Sequence, residues 1–370
     1  MDQRETDIAE QPVRAQQAHT FLCPNCGADM RFDPAKGVLA CEHCGAERAA
    51  DLPEKWEAEE LTCFEDDRHA RKWEGTRQMA CDSCGGSWVL DATAAASACP
   101  FCGRAHVNVL DADMVVPGAI VPFAVDRKRA EERFKEWVRK RFFSPKALRT
   151  EAFSGHWRGI YFPYWTFDAD TASQYTASAG HYYYVPVTRT RTVDGKTETY
   201  TAQERRTRWT RASGQVSRFF KNVLVRAVKL TEKAAAPENF DLCALKPYLP
   251  EFLSGFLARR YEIALEEGYR QAGEIMQRQI HEDIVRDVRA DEVRVLGVKT
   301  DVRSRSYKHI LLPLWGNHYT YRGKEYDVWV NGQNGKVSGK APLSPWKVTV
   351  AVLLGIAACA AAAYLLSRLG

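Results

Sequence analysis

Residues 21–45 have the sequence FLCPNCGADMRFDPAKGVLACEHCG, in which fourteen residues separate two CxxC pairs. The same arrangement recurs 58 positions later in the chain. This repetition indicates two copies of one module, each with four cysteines. The eight cysteines are Cys23, Cys26, Cys41 and Cys44 in the first copy, and Cys81, Cys84, Cys99 and Cys102 in the second.

The spacing within each copy is typical of a structural zinc ribbon. Two tight CxxC turns bring four thiolates onto one tetrahedral ion at about 2.3 Å and leave no open coordination position. Each pair is followed by a glycine, which suits a chain that turns back and offers backbone N–H groups to sulfur. We therefore predict two structural Zn²⁺ ions; rubredoxin-like iron and a redox dithiol are the alternatives.

Composition and charge exclude several protein classes. The chain has 370 residues, 45% of them hydrophobic, and a mean hydropathy of -0.40, which excludes a fully disordered chain and a polytopic membrane protein. The net charge of +5 is unevenly distributed: -10 over residues 1–125, +12 over 126–230 and +3 over 231–370. Because the ribbon region is acidic, its surface favours a protein-docking or structural role over binding of nucleic acid.

The region after the ribbons has the pattern of an α+β body. The sequence DRKRAEERFKEWVRKRFF predicts a helix with Asp126 as its N-cap and Phe142 on its apolar face. Alternating segments before and after Asp194-Gly195 predict strands joined by a two-residue hairpin turn. A stripe with a four-residue repeat predicts an amphipathic, core-facing helix within Arg259–Asp291, followed by a β meander. The two β segments, 118–230 and 240–340, form either one domain or two subdomains.

Basic residues of the predicted strands are candidates for binding an anionic surface. Arg206, Arg208 and Arg211 are interleaved with Trp209 and threonines. Such a pattern suits the solvated face of a half-buried sheet, and it also suits anionic lipid, the acidic ribbons or nucleic acid. We expect these three arginines to contact anionic surfaces without reading sequence.

The C-terminal segment predicts a membrane anchor. Residues 348–366 contain no charge, and nineteen helical residues span about 28 Å, close to the thickness of a hydrocarbon core. Trp346 and Lys347 on one side, and Tyr364 and Arg368 on the other, suit the two interfaces. The lysines before the segment and the reduced state expected of the thiols place the bulk of the chain in the cytosol. We predict a single-pass protein of the bacterial cytoplasmic (inner) membrane.

Catalytic motifs are not evident in the sequence. It contains no GxxxxGK[ST] loop, no GxSxG elbow and no HExxH. Asp168 and Asp170 are two residues apart on a predicted strand and would need a cleft to act as an acid/base pair. We predict no catalytic residues and no enzymatic activity.

The ribbons, the terminal anchor and phrases such as YFPYWTFDAD and YLPEFLSGF resemble bacterial membrane-anchored double zinc-ribbon proteins. Some of those relatives are labelled primosomal-helicase-like, and some are encoded beside phage-shock protein A and flotillin-like genes. The resemblance implies an adaptor in a membrane-stress or membrane-remodelling system. Its implied partners are cytosolic or membrane-associated proteins, including phage-shock protein A-like or flotillin-like ones. Anionic lipid is a second class of partner.

The predicted organisation is α+β, with tandem N-terminal zinc ribbons, a mixed sheet and helix body, and one C-terminal transmembrane helix. The alternative function is a membrane-tethered nucleic-acid-binding protein without a helicase motor. The expected segments are a disordered arm (1–20), the first ribbon (21–50), a charged spacer (51–78), the second ribbon (79–110), the body (111–340) and the anchor (346–367).

Overall fold

The computed structural model describes residues 21–53, 70–71, 76–81, 87–91, 107–110, 114–115, 117–145, 157–193, 196–229, 237, 239–321 and 324–369. The helices are α1 (Arg127–Arg139), α2 (Leu265–Val288) and α3 (Pro345–Leu369). The strands before α1 are β1 (Phe21–Leu22), β2 (Asp29–Asp33), β3 (Val38–Cys41), β4 (Glu47–Ala49), β5 (Ala70–Arg71), β6 (Thr76–Cys81), β7 (Ser87–Asp91), β8 (Val107–Leu110), β9 (Met114–Val115) and β10 (Ala119–Ile120). The later strands are β11 (Arg158–Val193), β12 (Lys196–Arg226), β13 (Lys246–Pro247), β14 (Leu257–Arg259), β15 (Glu292–Tyr321), β16 (Lys324–Asn331) and β17 (Val337–Gly339).

Three long antiparallel strands, β12, β11 and β15 in that order, form an elongated sheet that we call the blade. Its central strand, β11, has 36 residues and therefore extends about 120 Å at roughly 3.3 Å per residue. β15 pairs with β11 only as far as Gly180, opposite Glu292. Beyond that point β11 and β12 continue as a two-stranded ribbon over residues 181–208, which we call the hairpin.

The hairpin predicted from Asp194-Gly195 is confirmed by its register. Val193 pairs with Lys196, so two residues connect the strands, although those two lie outside the described residues. The two predicted β segments also share one sheet, because β15 runs along β11. A division of the body near residue 230 therefore does not divide the sheet.

α2 covers one face of the blade, as the four-residue stripe predicted. Its buried residues are Gly268, Ala272, Met276, Ile280 and Ile284. Gly268 lies against the buried indole of Trp165, where an added Cβ would be 2.7 Å from Trp165 Cδ1. Helix and sheet are also joined by polar contacts, since Arg218 donates two 2.6 Å hydrogen bonds to the Asp283 carboxylate.

The two aspartates considered as an acid/base pair have structural partners. Asp168 is buried and lies 3.1 Å from Lys308 Nζ, and it also accepts from the backbone N–H of Asn222. Asn222 has φ 53°, at a register shift of β12 opposite Asp168. Asp170 lies 3.8 Å from Arg303. The Asp168 carboxylate thus holds a β-bulge and a buried ammonium in place.

The end of the blade opposite the hairpin, which we call the base, carries α1 and the start of α3. Asp126 caps α1 as predicted, accepting a 2.7 Å hydrogen bond from Arg129 N. The helix ends at Arg139, earlier than the pattern predicted, so Phe142 lies in the following loop and is 70% exposed instead of buried. The buried face of α1 consists of Ala130, Phe134 and Val138.

The strands of the two cysteine repeats lie in different sheets. β1–β4 form a four-stranded antiparallel sheet within the predicted first ribbon. β6, β7 and β8, by contrast, join the large sheet, because β7 pairs with β14 through Val89 and Ala258. β6 begins at Thr76, inside the segment predicted as spacer, so the second repeat shares its sheet with the body.

Candidate metal centre

The first cysteine quartet converges in space as its spacing predicts. The sulfur atoms of Cys23, Cys26, Cys41 and Cys44 all lie within 4.8 Å of one another. The Sγ–Sγ distances are 3.5 Å for Cys23–Cys44 and for Cys26–Cys41. Four sulfurs at about 2.3 Å from a tetrahedral ion would be about 3.8 Å apart. The quartet is therefore placed to bind one metal ion without rearrangement of the backbone.

Two equivalent backbone turns position the sulfurs. Gly27 N donates to Cys23 O and Gly45 N donates to Cys41 O, both at 2.9 Å. The two glycines have φ of 71° and 74°, a left-handed conformation that other residues adopt at a cost. The turn predicted at the glycine after each pair is confirmed in the first copy, although these glycine N–H groups donate to carbonyl oxygens and not to sulfur.

The thiols affect one another's protonation. Desolvation raises the pKa of Cys23, but hydrogen bonds from the Asn25 and Cys26 backbone outweigh it and bring the pKa down to about 7. At Cys26 the Ala28 backbone lowers the pKa, whereas desolvation and the neighbouring thiols raise it to about 12. Four thiols this close together do not all ionise readily, because the negative charges of the thiolates repel one another. A bound cation would neutralise that repulsion, which is the chemistry expected of a metal centre.

The first cysteine module, residues 21–50, packs firmly on the body. Phe32 N donates to Ser254 O at 3.0 Å, and Ser254 Oγ donates to Met30 O at 2.7 Å. The rings of Phe32 and Phe252 meet edge to face with centroids 5.2 Å apart. Cys23 and Cys41 themselves belong to the buried cluster that includes Leu253 and Phe256. The first module is thus part of the body's core.

Sequence reasoning did not identify this contact surface. The segment Pro250–Arg259 holds the first module through Phe252 and Ser254 and pairs with β7 through β14. Its sequence, PEFLSGFLAR, is rich in apolar residues but has no periodicity that indicates a partner. Only the long-range pairing reveals its role as a junction between both repeats and the blade.

The second quartet lies largely outside the described residues. Cys81 is the last residue of β6, and Cys84, Cys99 and Cys102 are not described. The second Zn²⁺ therefore remains a prediction from the repeat, as does the identity of the metal in the first centre. Cys63 also lies outside the described residues, and Cys243 is exposed.

The candidate arginines lie in and beside the hairpin, on two different faces. Arg206 pairs with Tyr183 and Arg208 with His181, so both point to one face. Arg211 pairs with Ser178, three residues along from Arg208, and therefore points to the opposite face. Glu204 lies 3.2 Å from Arg206 and reduces the net positive charge of the first face. The three arginines thus do not form one continuous surface.

The C-terminal helix is long and apolar enough to cross a membrane. The stretch Pro345–Tyr364 qualifies by length and composition, and none of it is buried against the rest of the structure. Its large apolar side chains, including Leu353, Leu354 and Ile356, are exposed. This exposure contrasts with α2, whose apolar residues are buried against the blade.

The described structure is that of a protein with a group of four cysteines, placed to bind one metal ion, packed on an elongated α+β body that carries an apolar C-terminal helix. The chain is 27% identical over 333 residues to the uncharacterized protein YdjG of Bacillus subtilis (strain 168), and the alignment covers 89% of this chain and 92% of that protein. No protein-family model matches the chain, and no solved structure matches it.

Proposed function

We propose that this protein is a non-enzymatic, membrane-anchored adaptor that faces the cytosol. The metal centres stabilise the junction between its parts, α3 holds it in the cytoplasmic membrane, and the blade presents the hairpin to a partner protein. The resemblance noted above makes phage-shock protein A-like and flotillin-like proteins the first partners to test.

One observation carries the proposal: the hairpin and the base are at opposite ends of one continuous strand. From Gly159, which pairs with Trp315 near the base, to Tyr183 in the hairpin is 24 residues, or about 80 Å of strand. A globular enzyme has no evident need for an arm of this length. An adaptor that must reach a partner beyond the membrane surface does.

The hairpin surface has the chemistry of a protein-docking arm. Tyr183, Tyr184 and Tyr200 are exposed on it, and tyrosine and arginine are enriched where interfaces have their strongest contacts. Arg208 lies over the Tyr183 ring at 5.5 Å and Arg205 over Tyr182 at 4.2 Å. These stacked pairs hold the side chains ordered, which lowers the entropy lost on binding.

Affinity purification of the full-length protein from solubilised membranes tests the proposal. In one variant residues 182–207 are replaced by Asn-Gly, so that the existing pair His181–Arg208 closes a shortened hairpin. The matched control is Arg211→Ser, which keeps the whole arm and removes a positive charge that lies outside the hairpin. We expect the wild type and the control to retain the same protein partner and the shortened variant to lose it. Retention by the shortened variant, or no partner with the wild type, would contradict the proposal.

The alternative is a membrane-tethered nucleic-acid-binding protein. A two-stranded ribbon has the dimensions to enter a DNA major groove, and this is the observation in its favour. Against it, Arg189 and Arg206 both approach Glu204, and Arg191 lies 3.3 Å from Glu198. Titration of nucleic acid against salt decides between the two, because phosphate contacts give a steep salt dependence.

A further inference from the structure

The loop that follows α1 is fixed to the first turn of α3. Lys347 Nζ donates 2.8 Å hydrogen bonds to the carbonyl oxygens of Phe142 and Ser144. Ser344 N donates a third, also 2.8 Å, to Phe143 O. We call residues 140–144 the base loop. Because these bonds involve its backbone, the loop has a set position beside the start of α3.

The base loop presents apolar side chains to solvent at this position. Phe142 is 70% exposed and Phe143 is 39% exposed, and their rings contact each other edge to face. In the segment that is hydrogen-bonded to the loop, Leu343 is 64% exposed and Trp346 is 75% exposed. Four large apolar side chains are thus exposed where an apolar helix begins, which is unusual for the surface of a soluble domain.

Basic residues accompany this apolar group. Arg139 and Lys140 are exposed at the end of α1, and Lys347 lies 5.5 Å from the centre of the Phe142 ring. Aromatic rings with adjacent basic groups are the composition found at the boundary between headgroups and acyl chains. Near an anionic leaflet, cations also gain from the negative surface potential.

We propose that the base loop is a second membrane contact, in which Phe142 and Phe143 insert into the headgroup boundary of an anionic phospholipid bilayer beside α3. This rests on the proposed function, since α3 must span the membrane. The argument for lipid as the occupant is continuity: the loop is hydrogen-bonded to the residues at which the apolar helix begins. The contact would fix the orientation of the body, which a single helix alone leaves free to rotate.

The proposed membrane contact lies at the base and not at the hairpin arginines that were expected to contact anionic surfaces. Arg206 lies about 80 Å along the strand from the base, so we assign different partners to the two surfaces. In this proposal the base loop contacts lipid, and the hairpin binds a protein. The basic residues of 126–230 are accordingly divided between the two ends of the blade.

Photo-crosslinking tests this with the full-length chain in vesicles of phosphatidylethanolamine and phosphatidylglycerol. p-Benzoylphenylalanine replaces Phe142 in one sample, Leu354 within α3 in a second, and Tyr184 of the hairpin in a third; all three side chains are exposed, so the replacements leave the core intact. We expect lipid adducts at 142 and 354 and at least about tenfold fewer at 184. Adducts at 354 with none at 142, or adducts of 142 to protein, would overturn the proposal while leaving the anchor intact. Absence of lipid adducts at all three positions would refute the anchor itself, and with it both proposals.

A second variant tests the hydrogen bonds by which Lys347 holds the base loop. Lys347→Met removes the donor to both loop carbonyls and keeps an unbranched apolar stem. We expect several-fold fewer lipid adducts at 142 and an unchanged yield at 354. An unchanged yield at 142 would show that Lys347 does not hold the loop at the bilayer, and would contradict this proposal.

Discussion

Replacing Cys41 with serine should detach the first metal-binding module from the body. The variant loses one of four ligands, and a module this small depends on its metal for folding. Four features of the docked module are then lost: the burial of Met30 and Phe32, worth about 2 kcal/mol each, and the two hydrogen bonds with Ser254, worth about 1 kcal/mol each. The docked state therefore loses about 6 kcal/mol.

Hydrogen exchange of the full-length protein measures this loss directly. Phe32 N–H is bonded to Ser254 O, so its exchange reports the opening of the interface. A change of about 6 kcal/mol accelerates exchange by about four powers of ten. The matched control is Cys243→Ser, because Cys243 is exposed and does not belong to the quartet. If Cys41→Ser loses the metal but keeps the protection of Phe32, docking does not depend on the metal and the reasoning is refuted.

Elemental analysis should find two zinc ions per chain, and Cys81→Ser should lower this to one, because each quartet closes its own site; one ion in the wild type, or iron, would contradict the repeat argument. Gly268→Val should lower the free energy of unfolding by about 1–3 kcal/mol, since its side chain enters the space of the buried indole, whereas Gly273→Ala, where an added Cβ meets nothing within 4 Å, should raise it by about 0.5–1 kcal/mol in chemical denaturation. The pKa of Asp283 is lowered by its hydrogen bonds with Arg218, so the pair stabilises the fold above about pH 4 and this contribution disappears as the pH falls through the lowered pKa. Denaturation of Asp283→Asn should show a deficit of about 1 kcal/mol at neutral pH that vanishes in acid; a deficit independent of pH would rule out the ion pair as its cause.

Local patterns predicted the parts of the structure that depend on neighbours in sequence. The CxxC spacing placed the first four thiols, and Asp126 marked the start of α1. The four-residue stripe predicted α2 and its buried face. In each case a short-range rule of turn geometry or helix periodicity is sufficient.

The length of β11 was not predictable in the same way. β11 continues through Gly180, although glycine in a strand often marks a bulge or a weak point. An added Cβ at Gly180 would lie 2.8 Å from Thr207 and 3.0 Å from Trp209, so the glycine makes room for cross-strand side chains. Glycine as a strand breaker and glycine as a packing site look the same in sequence.

The contacts that join distant segments were also beyond local rules. Ser254 and Met30 are separated by 224 positions, and Lys347 and Phe142 by 205. Phe142 was expected on a buried helical face because the apolar spacing continued past Arg139. The end of α1 at that residue turned a predicted core position into an exposed one and created the base loop.

The most direct test of the account is the partition of a chain that ends at Pro345, compared with the full-length protein. Membranes are washed with about 1 M salt, which screens electrostatic contacts and leaves a spanning helix in place. We predict that the full-length protein stays in the membrane pellet and that the shortened chain is recovered in the soluble fraction with its metal bound. A folded shortened chain that also carries Phe142→Ser and Phe143→Ser, and so lacks the proposed base-loop contact, would contradict anchoring through α3 if it remained in the washed pellet.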